Sequence, residues 1–281
     1  MILSTDSTAN LPKEMYTELD IKMIPMKIII GEETYDDLSE KLPNKEYYQM
    51  MRAGAMPTTA QINEFEAREY FEKLLESGED VLHIGFSTAL SGSTNTLTRV
   101  ANELNNSHKN KVVVINSLNA SCGEGLLVLK AHELMKQNKT LEEIKSEIEA
   151  LIPHACSFFT VEQLKYLVRG GRVGKFSGII GTLLNIKPVL HVDNDGRLVS
   201  YKKIISRKKA LAEMVEIVKE KILKDSQIII AHADCLDEAT QFAENLKQEL
   251  NITPMVTDLT QVIGSHTGPG LVAVFFFGNE K

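Results

Sequence analysis

The strongest constraint in this sequence is a rhythm: short apolar runs, each followed by a polar loop and then by a segment with helical spacing. Val81-Leu82-His83-Ile84-Gly85-Phe86 reads as a buried strand, and the Ser/Thr/Gly stretch after it leads into Leu97, Val100, Ala101 and Leu104, one face of a helix. Lys111-Val112-Val113-Val114-Ile115 repeats the pattern, with polar residues from Asn116 to Ser121 and then Leu126, Leu127 and Leu134. Upstream, Asn63 caps a helix with Glu66 three residues on; Phe65, Phe71, Leu74 and Leu75 supply its apolar face, and Gly78 stops it. Strands alternating with helices imply a parallel sheet with helices on its faces. Met1 to Ser4 adds a strand. The expectation is an α/β protein whose first lobe, residues 1–152, is a parallel-sheet α/β/α (Rossmann-like) unit.

Residues from about 22 to 55 break the rhythm. Ile28-Ile29-Ile30-Gly31-Glu32-Glu33-Thr34-Tyr35 reads as a hairpin within an inserted β subregion. Thr140, with Glu143 at the matching position, caps a helix running to about Leu151, and Pro153 follows, so the lobe boundary is placed there. Beyond it the types mix. Runs at 186–192 and 198–205 flank Asn194-Asp195-Gly196, a hairpin-turn signal. Helical patterns at 207–223 and 238–250 and strands at 228–232 and 271–277 complete an α+β lobe over 153–281.

Composition narrows the class. The 281 residues suit two lobes or one large body. With no Trp and 6% aromatics the core is mainly aliphatic. A formal net charge of −7 argues against a general nucleic-acid or anionic-membrane binder. Cys122, Cys156 and Cys235 form no CxxC pair, which excludes a disulfide framework and a sequence-local zinc site and suits a reducing cytosol. The amino terminus lacks the features of a signal peptide. The longest nearly apolar stretch, 177–190, is interrupted by Asn185, Lys187 and Pro188 and is too short to span a bilayer. A soluble cytoplasmic protein is expected.

Four polar loops carry the candidate chemistry. Pro57-Thr58-Thr59-Ala60-Gln61 reads either as a plain turn and cap or as a ligand loop. Ser87-Thr88-Ala89-Leu90-Ser91-Gly92-Ser93-Thr94 lies beyond the carboxyl end of a strand, where free N–H groups and a helix dipole favour an anion; capping alone is the plainer reading. Arg169-Gly170-Gly171-Arg172 is a helix stop with close backbone approach. It fails as a Walker A loop, because Arg169 holds the first glycine position and Phe176 follows Lys175. Ile263-Gly264-Ser265-His266-Thr267-Gly268-Pro269-Gly270 places a His among glycines with few bulky neighbours to bury it. No G-x-S-x-G elbow, no metal-ligand spacing and no G-x-G-x-x-G after a strand is present. The loops offer donors for an acidic group and no evident catalyst.

Together these loops resemble the DegV family, which includes the fatty-acid-binding (FakB-type) subunits of bacterial fatty acid kinase. The similarity runs from Asp6-Ser7-Thr8 through Leu90-Ser91-Gly92 and Arg169-Gly170-Gly171-Arg172 to Gly264-Ser265-His266-Thr267-Gly268-Pro269-Gly270, essentially the whole chain. The resemblance implies two α/β lobes enclosing one long-chain fatty acid, with no other cofactor and no metal. The carboxyl would be held by the positions that are Thr59 and Ser91 here, with His266 close by and Gln61, Gly92 and Ser93 as secondary contacts. The acid would be presented to a separate kinase subunit, a DAK-like ATP-binding protein, for phosphorylation to acyl phosphate feeding phospholipid synthesis. The bound protein would not catalyse that step. Departures from the family pattern stand at Ala60, Ile62, Ser93 and Asn116.

The run Phe176, Ile179, Ile180, Leu183, Leu184 reads as a tunnel-lining helix, or more plainly as a buried core helix. A C16 tail at about 0.8 kcal/mol per buried methylene contributes on the order of 10 kcal/mol before ordering costs. Two other readings stand beside the carrier: a small esterase or thioesterase using Ser91 and His266, and a binder of some other apolar ligand. Charge is also segregated. Between Lys165 and Lys209 there are eleven basic and two acidic residues, a local balance of +9. Arg169, Arg172, Lys202 and Lys203 are therefore expected to dock the kinase, with transient membrane contact a further expectation.

Overall fold

The computed structural model describes residues 1–172 and 186–281. The first half runs β1 (Ile2–Asp6), α1 (Lys13–Glu18), β2 (Lys22–Ile24), β3 (Lys27–Ile30), β4 (Glu33–Asp36), α2 (Asn44–Arg52), β5 (Thr58–Ala60), α3 (Glu64–Leu75), β6 (Val81–Gly85), α4 (Ser93–Leu104), β7 (Val112–Asn116), α5 (Cys122–Lys136) and α6 (Leu141–Leu151). The apolar runs form one parallel sheet in the order β2-β1-β6-β7. The two capping boxes form as the sequence predicts. Asn63 Oδ1 accepts from the Glu66 amide at 3.0 Å while Glu66 reaches back to the Asn63 amide, and Thr140 and Glu143 do the same for α6.

Three expectations are corrected here. Phe65 is not on the core face of α3: it is 75% exposed, because the buried positions are Ala67, Phe71 and Leu75, and Phe65 sits two residues before Ala67, on the far side of the turn. β2 belongs to the parallel sheet rather than to an inserted β region. The insert is instead a three-stranded antiparallel sheet, β4-β3-β5, in which Thr58 and Thr59, read as a turn, pair with Ile29 and Ile28. β-branched residues at an open sheet edge satisfy their backbone groups by pairing.

The second half runs β8 (Ala155–Thr160), α7 (Lys165–Gly170), β9 (Val189–Val192), β10 (Leu198–Lys202), α8 (Arg207–Lys221), β11 (Ile228–His232), α9 (Leu236–Leu250), β12 (Met255–Asp258), α10 (Gln261–Thr267) and β13 (Val272–Phe277). Its sheet has the order β10-β9-β8-β13-β11-β12, with only β11 and β12 parallel, so the mixed α+β expectation holds. The hairpin turns at Gly196, whose φ of 75° needs glycine. The glycine-rich stretch read as a loop is partly helix: α10 includes Gly264, Ser265 and His266.

Two features of this sheet position the site. Alternation along β13 sends Val272, Val274 and Phe276 into a core shared with Met214, Val218, Phe242 and Leu246 of α8 and α9, and Ala273 and Phe275 into the opposite core. That opposite core also holds Phe86, Leu90 and Leu97 from the first half, so one apolar mass joins the two sheets. Helix α5 packs against β1 and β6 on one side and β8 and β13 on the other.

Candidate functional site

Four segments far apart in sequence converge on a cavity of about 250 Å³ between the two sheets. Its apolar lining includes Met26, Phe86, Leu90, Phe159, Leu271 and Phe275; its polar lining includes Thr59, Gln61, Ser91, His266 and Arg172. Thr59 arrives on edge strand β5, Ser91 on the loop after β6, His266 on α10 and Arg172 just past α7. Phe176, Ile179, Ile180, Leu183 and Leu184, the expected tunnel helix, lie outside the described residues.

Thr59 Oγ1 and His266 Nε2 are 2.8 Å apart. Burial, reinforced by Arg172 and Arg169, pushes the His266 imidazole down to about 4, so it is neutral at pH 7. A neutral ring carries one N–H. Nδ1 is buried without a partner among the described residues, so a proton there would be an unmatched donor. We therefore assign the proton to Nε2, which donates to Thr59 Oγ1 and leaves the threonine O–H free for a ligand. The second hydroxyl is prepared similarly. Ser91 Oγ accepts from the Ser93 amide at 3.2 Å and lies 3.0 Å from Ser93 Oγ, which itself accepts from the Ile62 amide at 3.1 Å. Ser93 can direct its hydrogen to Ser91, so the Ser91 O–H is also available. Gly92 is the N-cap of α4 without a side-chain cap, and a Cβ there would run into the Gln61 amide.

The two arginines act differently. Arg169 donates to the carbonyls of Pro57, at 3.3 Å, and Ser265, at 3.2 Å, tying together the segments that carry Thr59 and His266. Arg172 donates to the carbonyls of Leu90, at 3.3 Å, and Gly170, at 2.6 Å, and also lines the cavity. Between them Gly171 takes the left-handed C-cap conformation, with φ of 66°, as a helix stop should. Lys202 and Lys203 stand elsewhere, exposed at the end of β10, and Lys202 pairs with Glu213 at 2.7 Å. Arg207, from the same basic stretch, is paired with Glu238 at 2.6 Å, so part of the local charge is neutralised.

His266 gives its Nε2 to Thr59 and makes no hydrogen bond to Ser91 among the described residues, and no group orients its Nδ1. Among the described residues a nucleophile–base–orienter chain is therefore not assembled there. Sequence reasoning missed several contributors. Ser121 lines the cavity with φ of 54° and ψ of −146° at the N-cap of α5. Asp6, seen only as part of a motif, anchors the Phe86 amide at 3.1 Å, and the Glu124 carboxyl oxygens lie 3.0 Å from the Thr5 and Thr8 hydroxyls beneath it. Asp37 and Tyr47 hold α10. The one signal for Asp37 was an acid directly after the hairpin, which burial alone distinguishes from its neighbour Asp36. Among the described residues no group of three metal-ligating side chains occurs, and no helix is long and apolar enough to cross a membrane.

Two α/β halves sharing one apolar cavity rimmed by hydroxyls, an imidazole and arginines define a two-lobed α/β protein with its cavity at the junction. The chain belongs to the DegV family, whose sequence model, described as that of an uncharacterised protein family, matches residues 2–279. A DegV domain-containing protein of Clostridium perfringens is 37% identical over 285 residues, covering 100% of this chain and 98% of that one. Among solved structures, DegV of Bacillus subtilis, described as a fatty acid binding protein, superposes with a TM-score of 0.88 at 30% identity, covering 99% of both chains. A fatty acid binding DegV family protein of Streptococcus agalactiae gives 0.89 at 30% identity, covering 98% of both.

Proposed function

We propose that this protein binds one long-chain fatty acid without transforming it, holding the carboxyl on Thr59 and Ser91 with His266 behind Thr59. The observation that carries this reading is the pairing of two freed hydroxyl donors with an otherwise apolar cavity. A buried carboxylate is costly unless several donors meet it, whereas the tail gains from every methylene removed from water. Relatives of the same fold described as fatty acid binding proteins support it. Gln61, Gly92 and Ser93 shape the carboxyl end. We extend the reading to presentation: the bound acid is offered in the cytoplasm to a kinase subunit that forms the acyl phosphate. Arg172, lining the cavity from an exposed position, would face the transferred phosphate, and Arg169, Lys202 and Lys203 would belong to the docking face.

The test is extraction. Acidified solvent should release close to one equivalent of fatty acid from purified protein, read by mass spectrometry, and delipidated protein should take up palmitate or oleate. A protein that is empty and takes up neither removes the proposal. Arg172→Glu or Lys203→Glu should impair kinase-dependent phosphorylation more than binding; equal losses would sink the docking assignment alone.

A further inference from the structure

Helix α10 carries His266 at one end, yet its start is not capped in the ordinary way. Its N-cap residue, Thr260, makes no side-chain cap, and the Thr260 hydroxyl is buried without a partner among the described residues. The cap comes instead from 224 residues away. Asp37 Oδ1 accepts from the amide of Gln261 at 3.0 Å and, more weakly, from that of Val262 at 3.4 Å. Asp37 follows β4 in the three-stranded sheet and is 2% exposed. The same insert grips the helix twice more. Tyr47 of α2 donates to the Gln261 carbonyl or meets Ser265 Oγ, at 3.1 and 2.7 Å, and Thr59 of β5 meets His266. Start, middle and end of α10 are thus held by the insert that also supplies the carboxyl-binding threonine.

We propose that Asp37 is a positioning residue for the carboxyl site: as a remote cap it sets the seat of α10, and through it the meeting of His266 with Thr59. This rests on the fatty-acid reading above. An ionised oxygen accepts amide hydrogens more strongly than a neutral one and suits the positive end of a helix. Burial works against that charge and raises Asp37 to about 7. Both forms are therefore present near neutrality. Its titratable neighbours do not blur this window. Tyr16 from α1 and Tyr47 and Tyr48 from α2 are all pushed up by burial and stay neutral, and His266 titrates near 4. Arg169 is the cation felt by Tyr47. Asp6 and Glu124, also raised, make their hydrogen bonds within the parallel-sheet half, to Thr5, Thr8 and Phe86.

The experiment measures palmitate affinity of the delipidated wild type and Asp37→Asn between pH 5.5 and 8.5, with Tm alongside. The wild-type/variant affinity ratio should rise from near one to about tenfold, the order expected for one charge-assisted hydrogen bond. A merely structural role would leave that ratio flat. Stability should move the other way: the folded Asp37 holds its proton to higher pH than the unfolded chain, so its contribution falls as pH rises from about 4 to about 7. Asp37→Ser, which keeps an acceptor without charge, serves if the Asn variant does not fold. Palmitate uptake with a flat ratio overturns the positioning role. No uptake by the wild type at any pH overturns instead the fatty-acid reading.

Discussion

At His266, burial and two nearby guanidinium groups act in one direction, so the imidazole works as a hydrogen-bond donor to Thr59 rather than as a charge. A group protonating only near pH 4 is a poor general base at neutrality. On the fatty-acid reading the hydroxyls then carry the recognition. Thr59→Val, which keeps the shape and removes the donor, should weaken palmitate binding by roughly 10- to 100-fold, as should Ser91→Ala, both read by equilibrium titration. A loss below threefold in both would mean that the carboxyl is held elsewhere. Thr59, Ser91 and His266 were visible in the sequence as a set only through family resemblance, because each sits in an unremarkable polar stretch whose partners are set by tertiary contacts.

Elements with local signals were the legible ones. The capping boxes at Asn63 and Thr140, the Asp-Gly hairpin and the alternating runs of the parallel sheet all specify structure within a few residues. Asn63→Ala should accordingly destabilise the protein by about 0.5–2 kcal/mol in denaturant titration while leaving ligand affinity unchanged. β5 and α10 were illegible for the complementary reason. Three residues make no pattern, and α10 has a glycine in its middle; Asp37, Tyr47 and Tyr48, not periodicity, hold it in place. Gly264 is needed because a Cβ there would collide with the Tyr48 hydroxyl. Gly264→Ala should therefore lower Tm and ligand affinity together, unlike the Asn63 change; a variant that bound normally would show that α10 tolerates displacement.

On the scale of the whole molecule, buried ionisable groups bound stability from both sides of pH. His83, pushed down to about 3 by burial, and His266 are neutral in the fold, so the unfolded chain takes up their protons first and stability falls as pH drops below about 6.5. Asp6, Glu124 and Asp37 are all raised by burial, and for them stability falls as pH climbs above the unfolded carboxyl range. Hydrogen counting agrees for Glu124. Thr5 has one hydroxyl hydrogen and two neighbours, the Ile84 carbonyl at 2.7 Å and Glu124 Oε1 at 3.0 Å, so a protonated Glu124 satisfies both. Thermal unfolding against pH should show a maximum on the acid side of neutrality, and Glu124→Gln should flatten its alkaline limb. An unchanged limb would place the titration elsewhere.

The contact between Thr59 and His266 spans 207 residues of chain. It has a consequence for the order of events in the life of the molecule. The parallel sheet can form while later residues are still being synthesised, but the pairing of Thr59 with His266 waits for α10, far along the chain, to arrive and dock. On the fatty-acid reading, an amino-terminal fragment ending before α10 should fold part of its core yet retain no palmitate on extraction.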